Sequence, residues 1–324
     1  MEIKVGTFNV NNLFSRFNFQ GVIEAIANDE NTVTSMVKYE FTANDVILTR
    51  TFNGKLVKGK TDSEKKKIAA RILAMNLDVL AVQEIENLDI LRQFNEENLA
   101  GLYPYTVLIE GNDERLIDVG LLSKLPLGAI TSWQKAEHKD LPGSPIFSRD
   151  LLEVDVLSAN RKKVLFKIFN THLKSHYIPF DEPYPELARL EANQRRQMQS
   201  EMIAQIVAQR TNKNGAYIVV GDMNDPEDSE FLAPFTQSPE LGLLNALSNP
   251  QETPSPIHEN PAPASAAWTH RYKPAGQPAE HTLFDQIWIS KPLKNKLKEA
   301  WIGRRKTLGG DGSDHDPAWV VLDL

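Results

Sequence analysis

No cysteine occurs among the 324 residues. Its absence excludes disulfides, thiolate metal sites and a cysteine nucleophile together. No apolar run reaches the length needed to span a bilayer, and Met1–Val10 lacks the basic and continuous apolar regions of a secretory signal, so a cytoplasmic location is expected. Positive charge is not in excess. A formal net charge of −7 argues against a surface built throughout to coat nucleic acid, and leaves room for an enzyme with one local basic patch. Familiar catalytic signatures are missing too: there is no GxSxG elbow, no Walker A sequence and no GxGxxG fingerprint, so serine-hydrolase, P-loop and dinucleotide readings have no anchor. Neither is there an HExxH zinc motif.

What is present is an ordinary globular composition, 41% hydrophobic and 24% charged residues, from which a substantial core is expected. At this length one large domain or two small ones are both open, and no solenoid-type repeat is found. Residues 61–75, "TDSEKKKIAARILAM", carry a capping-box pattern, Thr61 with Glu64, followed by Ile68, Ile72, Leu73 and Met75 at helical spacing. Residues 186–210 place Met198, Met202 and Ile206 on one helical stripe, which reads as core packing. Residues 249–263, "NPQETPSPIHENPAP", read as an extended insertion, because strand-like and helical segments continue on both sides. Residues 34–59 look like two strands joined near Asn53-Gly54.

Several short apolar runs end or begin in a residue that strand propensity would not choose. "IKVGTF" stops at Asn9, "DVLAVQ" at Glu84, "VLFKIFNT" at His172 and "AYIVVG" at Asp222, while "FDQIWIS" carries Asp285 near its start. Asp222 and Asn224, in "GDMNDPEDS", would stand at a strand's C-terminal end, where open sheets expose functional groups, although the same residues also make plain turns. A carboxylate such as Glu84 near low-dielectric surroundings needs a cation or hydrogen-bond partners. His172 and His176 are four apart, but the preceding strand disfavours a helical zinc pair. Asp314, His315 and Asp316 crowd together just before the final run "WVVLDL". Asn, Glu, His and Asp residues at strand ends suit one or two Mg²⁺ or Mn²⁺ ions and an activated water.

In their order, "TFNVNNLF", "VQEIEN", "THLKS", "GDMND", "FDQIWIS" and "GSDHDP" resemble the endonuclease/exonuclease/phosphatase superfamily. That group includes pancreatic-type deoxyribonuclease, exonuclease-III-like repair enzymes, neutral sphingomyelinases and inositol-polyphosphate phosphatases. The resemblance spans nearly the whole chain. It implies an α/β fold, a four-layer α/β sandwich of two packed mixed β-sheets, mainly antiparallel, flanked by helices, with 1–324 as one catalytic domain. It also implies roles. Glu84 would be the principal metal ligand and Asp314 would bind or orient near the metal; Asn9 would orient Asp222 or help at the metal. His172 would bind the scissile phosphate, Asp222 would position or deprotonate the attacking water, Asn224 would contact a phosphate oxygen, and His315 would pair with Asp285. Asn11 stands where some repair-type members carry a metal-binding Asp, which leaves a second ion open. Asp118, in "LIDVGLLSKLPL", is a candidate for orienting His172.

The expected activity is a divalent-metal-dependent phosphodiesterase, foremost a nuclease, with a phosphomonoesterase or an inactive scaffold as the alternatives. The partner is then a phosphoester such as DNA or RNA, and the chain is expected to act as a monomer without a membrane span. Arg304 and Arg305 of the run 304–306 lie close enough to Asp314 in sequence to be candidate substrate contacts, with Asn11 and Asp118; the basic pairs Lys162-Lys163 and Arg195-Arg196 could track a phosphate backbone too, although most such pairs are solvated faces.

Overall fold

Residues 1–13, 20–24, 36–40, 60–113, 115–178 and 182–324 are described by this computed structural model. Two sheets dominate. The first has seven strands in the order Gln251–Glu252, Leu297–Ile302, Ala318–Asp323, Glu2–Leu13, Val79–Ile85, Asp118–Ser123 and Tyr105–Leu108. The second has six, in the order Leu244–Asn245, Asp285–Ile289, Tyr217–Asp222, Val164–His172, Leu151–Leu157 and Leu127–Ser132. Each is mixed: Glu2–Leu13 runs parallel to Val79–Ile85, and Val164–His172 parallel to Tyr217–Asp222, among mainly antiparallel neighbours. Two small hairpins complete the strands, Gln20–Glu24 with Met36–Glu40 and His270–Tyr272 with Glu280–Thr282.

Strand alternation sorts the side chains into layers. Ile3, Val5, Val79, Ala81, Val119 and Leu121 from the first sheet meet Val154, Phe166, Ile168, Ile218, Val220 and Ile287 from the second in one buried cluster. The opposite face of the first sheet, with Phe8, Leu80, Val82 and Leu122, is covered by Ile68 and Ile72 of helix Asp62–Met75 and by Leu91 and Phe94 of helix Leu88–Asn98. The outer face of the second sheet, with Phe169, Tyr217, Val219 and Trp288, receives Met202, Ile203 and Ile206 of helix Pro185–Arg210, and Met198 packs against the same cluster. The result is the expected four-layer sandwich. Short helices Ala233–Thr236 and Lys291–Lys294 lie in connections.

Helix Asp62–Met75 starts as its sequence dictates. The Thr61 hydroxyl accepts the Glu64 N–H at 3.3 Å and the Glu64 carboxylate accepts the Thr61 N–H at 2.8 Å, so two otherwise unpaired donors are satisfied reciprocally. Residues 249–263 hold only the two-residue strand Gln251–Glu252. The Asn53-Gly54 turn falls outside the described residues, and Met36–Glu40 pairs with the earlier segment Gln20–Glu24. No helix among the described residues is long and apolar enough to cross a membrane.

Towards one end of the interface between the sheets the apolar packing gives way to amides. Gln83 Nε2 donates to Asn170 Oδ1 across the sheets at 2.8 Å, and Asn170 Nδ2 donates to the carbonyls of Val82 and Gly120. Thr7 Oγ1 donates to Gln83 Oε1 at 3.2 Å. Because all three side chains are buried, their mutual bonding is required. Beyond them the strands end in the residues singled out above.

Candidate active site

Parity decides which strand-end residues face one another. In Tyr217–Asp222, Ile218 and Val220 face the other sheet, so Asp222 does too; the same count puts His172 beyond Ile168 and Asn170, and Asp285 before Ile287. Asp222 is the register partner of both His172 and Asp285, and Asn9 occupies the facing end of the first strand. Gly221 makes the close strand contact possible. Its φ is +136°, and a Cβ there would sit 1.9 Å from the Thr171 carbonyl oxygen.

Glu84 arrives by a different route. Continued alternation after Leu80 and Val82 would send it into the helix layer. Instead the pairing shifts between Gln83 and Ile85, Glu84 takes φ +65°, and Ile85 fills the helix-side position. The first strand is irregular opposite it, with Asn11 at φ +50° and Asn12 at +61°. These two bulges aim Glu84 and the Asn11-Asn12 backbone into the site.

At its centre, Asn9 Nδ2 donates to Asp222 Oδ2 at 2.8 Å and more weakly to Glu84 Oε1 at 3.4 Å. The Asn12 N–H donates to Glu84 Oε2 at 2.9 Å. His172 Nε2 lies 3.4 Å and His315 Nε2 3.9 Å from Asp222 Oδ2. His315 Nδ1 meets Asp285 Oδ2 at 2.6 Å, and Asn11 Nδ2 donates to Asp314 Oδ1 at 2.6 Å. The Asn224 N–H donates to Asp222 Oδ1 at 2.9 Å, and its side-chain amide is tied to the Leu173 carbonyl. All of these side chains except Asn9 and Asp285 line an open groove of about 1210 Å³.

Burial and charge set the protonation states. Desolvation, with a contribution from Asp285, pushes the Asp222 carboxyl up to about 6, partly offset by His315 and the Asn9 bond. Burial would lower the His315 imidazole, but Asp285, Asp222 and Asp314 together outweigh it and hold the ring well above its ordinary value. His172 goes the other way: burial, then the charges of Arg149 and His315, keep it neutral, and its Nδ1 has no hydrogen-bond partner among the described residues. Glu84 is raised by desolvation and then by the charge of Asp314. It makes no ion pair within 4 Å among the described residues.

A carboxylate raised in this way, facing a second carboxylate and amide groups with no thiolate nearby, fits a hard divalent cation coordinated through oxygen. Glu84 and Asp314 are charged ligands such an ion could take, with the Asn11 amide beside Asp314; among the described residues His270, Asp314 and His315, and likewise Asp222, Asp285 and His315, also bring ligand atoms within 4.8 Å of one another.

Two sets of expected contacts are not made. Arg304 and Arg305 are buried, at 7% and 3% exposure. Arg304 stacks on Trp268, 3.6 Å from the ring centroid, and bonds to Glu252 and the Trp268 and Ala266 carbonyls; Arg305 Nε is bound to Asp316 Oδ1. Guanidiniums so occupied are structural and are not turned to a substrate; of the run only Lys306 is exposed. Asp118 is buried and accepts the Gly111 N–H at 2.7 Å, while the free nitrogen of His172 shows that no carboxylate orients that ring through it. Arg196, read as part of a solvated pair, is wholly buried and bound to Asp225, whose other oxygen lies 3.3 Å from His176 Nε2.

Two groove residues carried no sequence signal. Arg149 is 2% exposed, paired with Asp113 at 2.9 Å and bonded to the Leu173 carbonyl at 2.8 Å, and its charge bears on both Glu84 and Asp222. His270 sits 5.0 Å from the His315 ring and stacks on Phe284. Burial, then the charge of His315, lowers it to about 4, so it is a neutral ring. A lone Arg in a loop, or a lone His opening a three-residue strand, has no spacing that would reveal it.

The assignment of this arrangement follows from its extent. Residues 6–315 match the Endonuclease/Exonuclease/phosphatase family. The chain belongs to that family. Endonuclease/exonuclease/phosphatase proteins are hydrolases that act on phosphoesters and generally use a divalent metal. Three solved structures of the family's fold illustrate its range. An AP endonuclease from Archaeoglobus fulgidus superposes with a TM-score of 0.57 at 15% identity, covering 99% of this chain and 100% of that one. TDP2 of D. rerio, complexed with a single strand DNA product, gives 0.55 at 12%, covering 100% and 99%. A mannosyl-6-phosphatase from Bacteroides thetaiotaomicron VPI-5482 gives 0.57 at 14%, covering 99% and 100%. No curated protein matches the chain significantly in sequence. At such identities the family's fold is shared, and the choice among its substrates rests on this chain's own groove.

Proposed function

We propose that this protein is a divalent-metal-dependent phosphodiesterase, a nuclease, that directs water in line at phosphorus. The observation that carries the reading is the Asp222 carboxylate, bonded to Asn9 at 2.8 Å and set between His172 and His315 beside the Glu84–Asp314 pair. With its acid strength moved to about 6, Asp222 suits a general base for the attacking water near neutral pH. Asn9 fixes which oxygen of Asp222 faces that water. His315, held charged by Asp285, aims Nε2 into the groove as a donor to the phosphoryl oxygens, and neutral His172 is a second donor through Nε2. Arg149 adds a fixed positive charge that the solvent barely screens.

Glu84 and Asp314 would hold Mg²⁺ or Mn²⁺, whose chemistry is Lewis-acid stabilisation of charge on the phosphoryl group and a lowered cost of ionising water. A nucleic-acid strand is favoured over a small monoester by the open groove and by Arg115, Arg149 and Arg189 along it, and the DNA product held by D. rerio TDP2 supports the same choice. Both sheets supply catalytic groups, which supports reading 1–324 as one catalytic unit.

The test is hydrolysis by purified protein, with Mg²⁺ or Mn²⁺ and after chelation, of single- and double-stranded DNA, RNA, a bis-aryl phosphodiester and an aryl phosphomonoester. Metal-dependent cleavage of a diester is expected. Turnover of the monoester alone would replace the reading with a phosphatase, and full activity after exhaustive chelation would overturn the metal dependence.

A further inference from the structure

Asp316 is wholly buried one residue beyond His315, and the chemistry proposed above does not use it. Its Oδ1 accepts from Arg71 Nη2 at 2.8 Å, Arg305 Nε at 3.1 Å and the Arg305 N–H at 3.1 Å; Oδ2 accepts from Arg304 Nη1 at 3.4 Å. Desolvating this many charges is a poor route to stability, since apolar packing of the same volume does as well. Their value lies in what else the guanidiniums hold.

Arg305 Nη2 donates to the Asp314 carbonyl at 2.7 Å, and Arg71 Nη1 to the His315 carbonyl at 3.3 Å. The Asp316 N–H donates to the Thr269 carbonyl at 2.7 Å, and Thr269 Oγ1 accepts the N–H of Asp285, the partner of His315, at 2.9 Å. The Asp316 carboxylate thus reaches the carbonyls of Asp314 and His315 through Arg305 and Arg71, while its backbone N–H reaches Asp285 through Thr269. The chain leading into this point has little stiffness of its own, because Gly310 and Gly312 both adopt positive φ, +73° and +88°. Upstream, Ser313 Oγ anchors it to the Asn9 carbonyl at 2.7 Å. Downstream, the anchor is Asp316.

We propose that Asp316 is a positioning residue: it orients Arg71 and Arg305 onto the carbonyls of Asp314 and His315, and so fixes those two side chains for metal and phosphate. The consequence for phosphoester chemistry rests on the function proposed above; the positioning itself does not.

The test uses Asp316→Asn, which keeps the shape and removes the charge, and Arg305→Lys, which keeps the charge and removes the two-pronged guanidinium. The first readout is the proton NMR signal of His315 Nδ1–H in metal-free protein, assigned by its loss in His315→Ala. A bond of 2.6 Å to Asp285 places that signal far downfield. In folded Asp316→Asn and Arg305→Lys it is expected to move upfield or broaden. The second readout is Mn²⁺ affinity by electron paramagnetic resonance, with kcat and KM at saturating Mn²⁺. Loss of an outer partner typically costs about 10-fold or more in metal affinity or activity, so the Mn²⁺ Kd should rise about 10-fold and kcat fall similarly with KM little changed.

An unmoved His315 signal in both folded variants overturns the proposal, whatever their melting temperatures, because a merely structural knot lowers stability without displacing the ring. Arg305→Lys keeps the test alive where Asp316→Asn does not fold. A wild-type protein that binds no Mn²⁺ and cleaves no diester overturns the proposed function instead, and the NMR comparison still decides the role of Asp316.

Discussion

Nδ1 of His315 lies 2.6 Å from Oδ2 of Asp285, although 30 residues separate them in sequence. The bond fixes the orientation of the ring so that Nε2 faces the groove, and it helps hold the ring charged against the cost of its burial. A donor aimed at developing phosphoryl charge is typically worth about 3–4 kcal/mol, or two to three decades in kcat. His315→Ala should lose at least that much with its circular dichroism unchanged, and Asp285→Asn a large part of it. Because Asp285 acts through His315, the double mutant should be little worse than His315→Ala. Losses that multiply in the double mutant would show that the two residues work independently.

Asp222 makes the metal-free protein sensitive to pH in a definite direction. Its carboxyl is raised by burial from 3.8 to about 6, so between those values the native state holds protons that the unfolded chain has released. Stability therefore falls as pH rises through that window, by an amount on the order of 3 kcal/mol. Asp222→Asn should remove the Asp222 share of this fall, leaving that of Asp150, whose carboxyl burial also raises to about 6, and be the more stable protein above pH 6. Urea unfolding from pH 4 to 7 in chelator checks it; a wild-type curve rising through the window to the same degree as the variant's would refute the assignment.

Arg304 should behave as a core residue. Its guanidinium is pressed on Trp268 and bound to Glu252, Asp316 and two carbonyls, so Arg304→Glu would bury a carboxylate against Asp316. Breaking such a buried arrangement costs about 3–5 kcal/mol. Thermal melting should drop accordingly, while the salt dependence of KM for a nucleic-acid substrate stays as in wild type, because no phosphate contact is lost. A reduced salt slope with an unchanged melting temperature would return the residue to the substrate surface.

Arg304 and Glu84 also mark where the sequence is legible and where it is not. A polar residue at the end of an apolar strand is conspicuous, so Asn9, His172, Asp222 and Asp285 can be found from pattern, and alternation then explains why they converge. Glu84 is found by the same pattern, at the end of "DVLAVQ", but the bulge that turns it away from the helix layer leaves no trace, and only the pairing shift and the positive φ reveal it. Charge alone misleads in the opposite sense. The run of Arg304 and Arg305 reads in sequence as a substrate contact, and Asp316 binds both guanidiniums in the interior. Arg149 is silent for a related reason, since its partner Asp113 and its contact at Leu173 lie on separate loops.

Glu84 supplies a test in which stability and activity move in opposite directions. With no cation bound, its carboxylate is raised by desolvation and by the nearby charge of Asp314, so its ionised form burdens the fold. Glu84→Gln keeps the shape and removes the charge, and in chelator it should melt at a higher temperature than wild type. Adding Mg²⁺ or Mn²⁺ reverses the order: an ion that binds only the native state stabilises by RT ln(1 + [L]/Kd), about 2.7 kcal/mol at one hundred times Kd. Wild type should therefore gain melting temperature with each addition while Glu84→Gln gains little, and the variant should need a much higher metal concentration for half-maximal turnover. Parallel melting curves for the two proteins across a metal titration would remove Glu84 from the metal site.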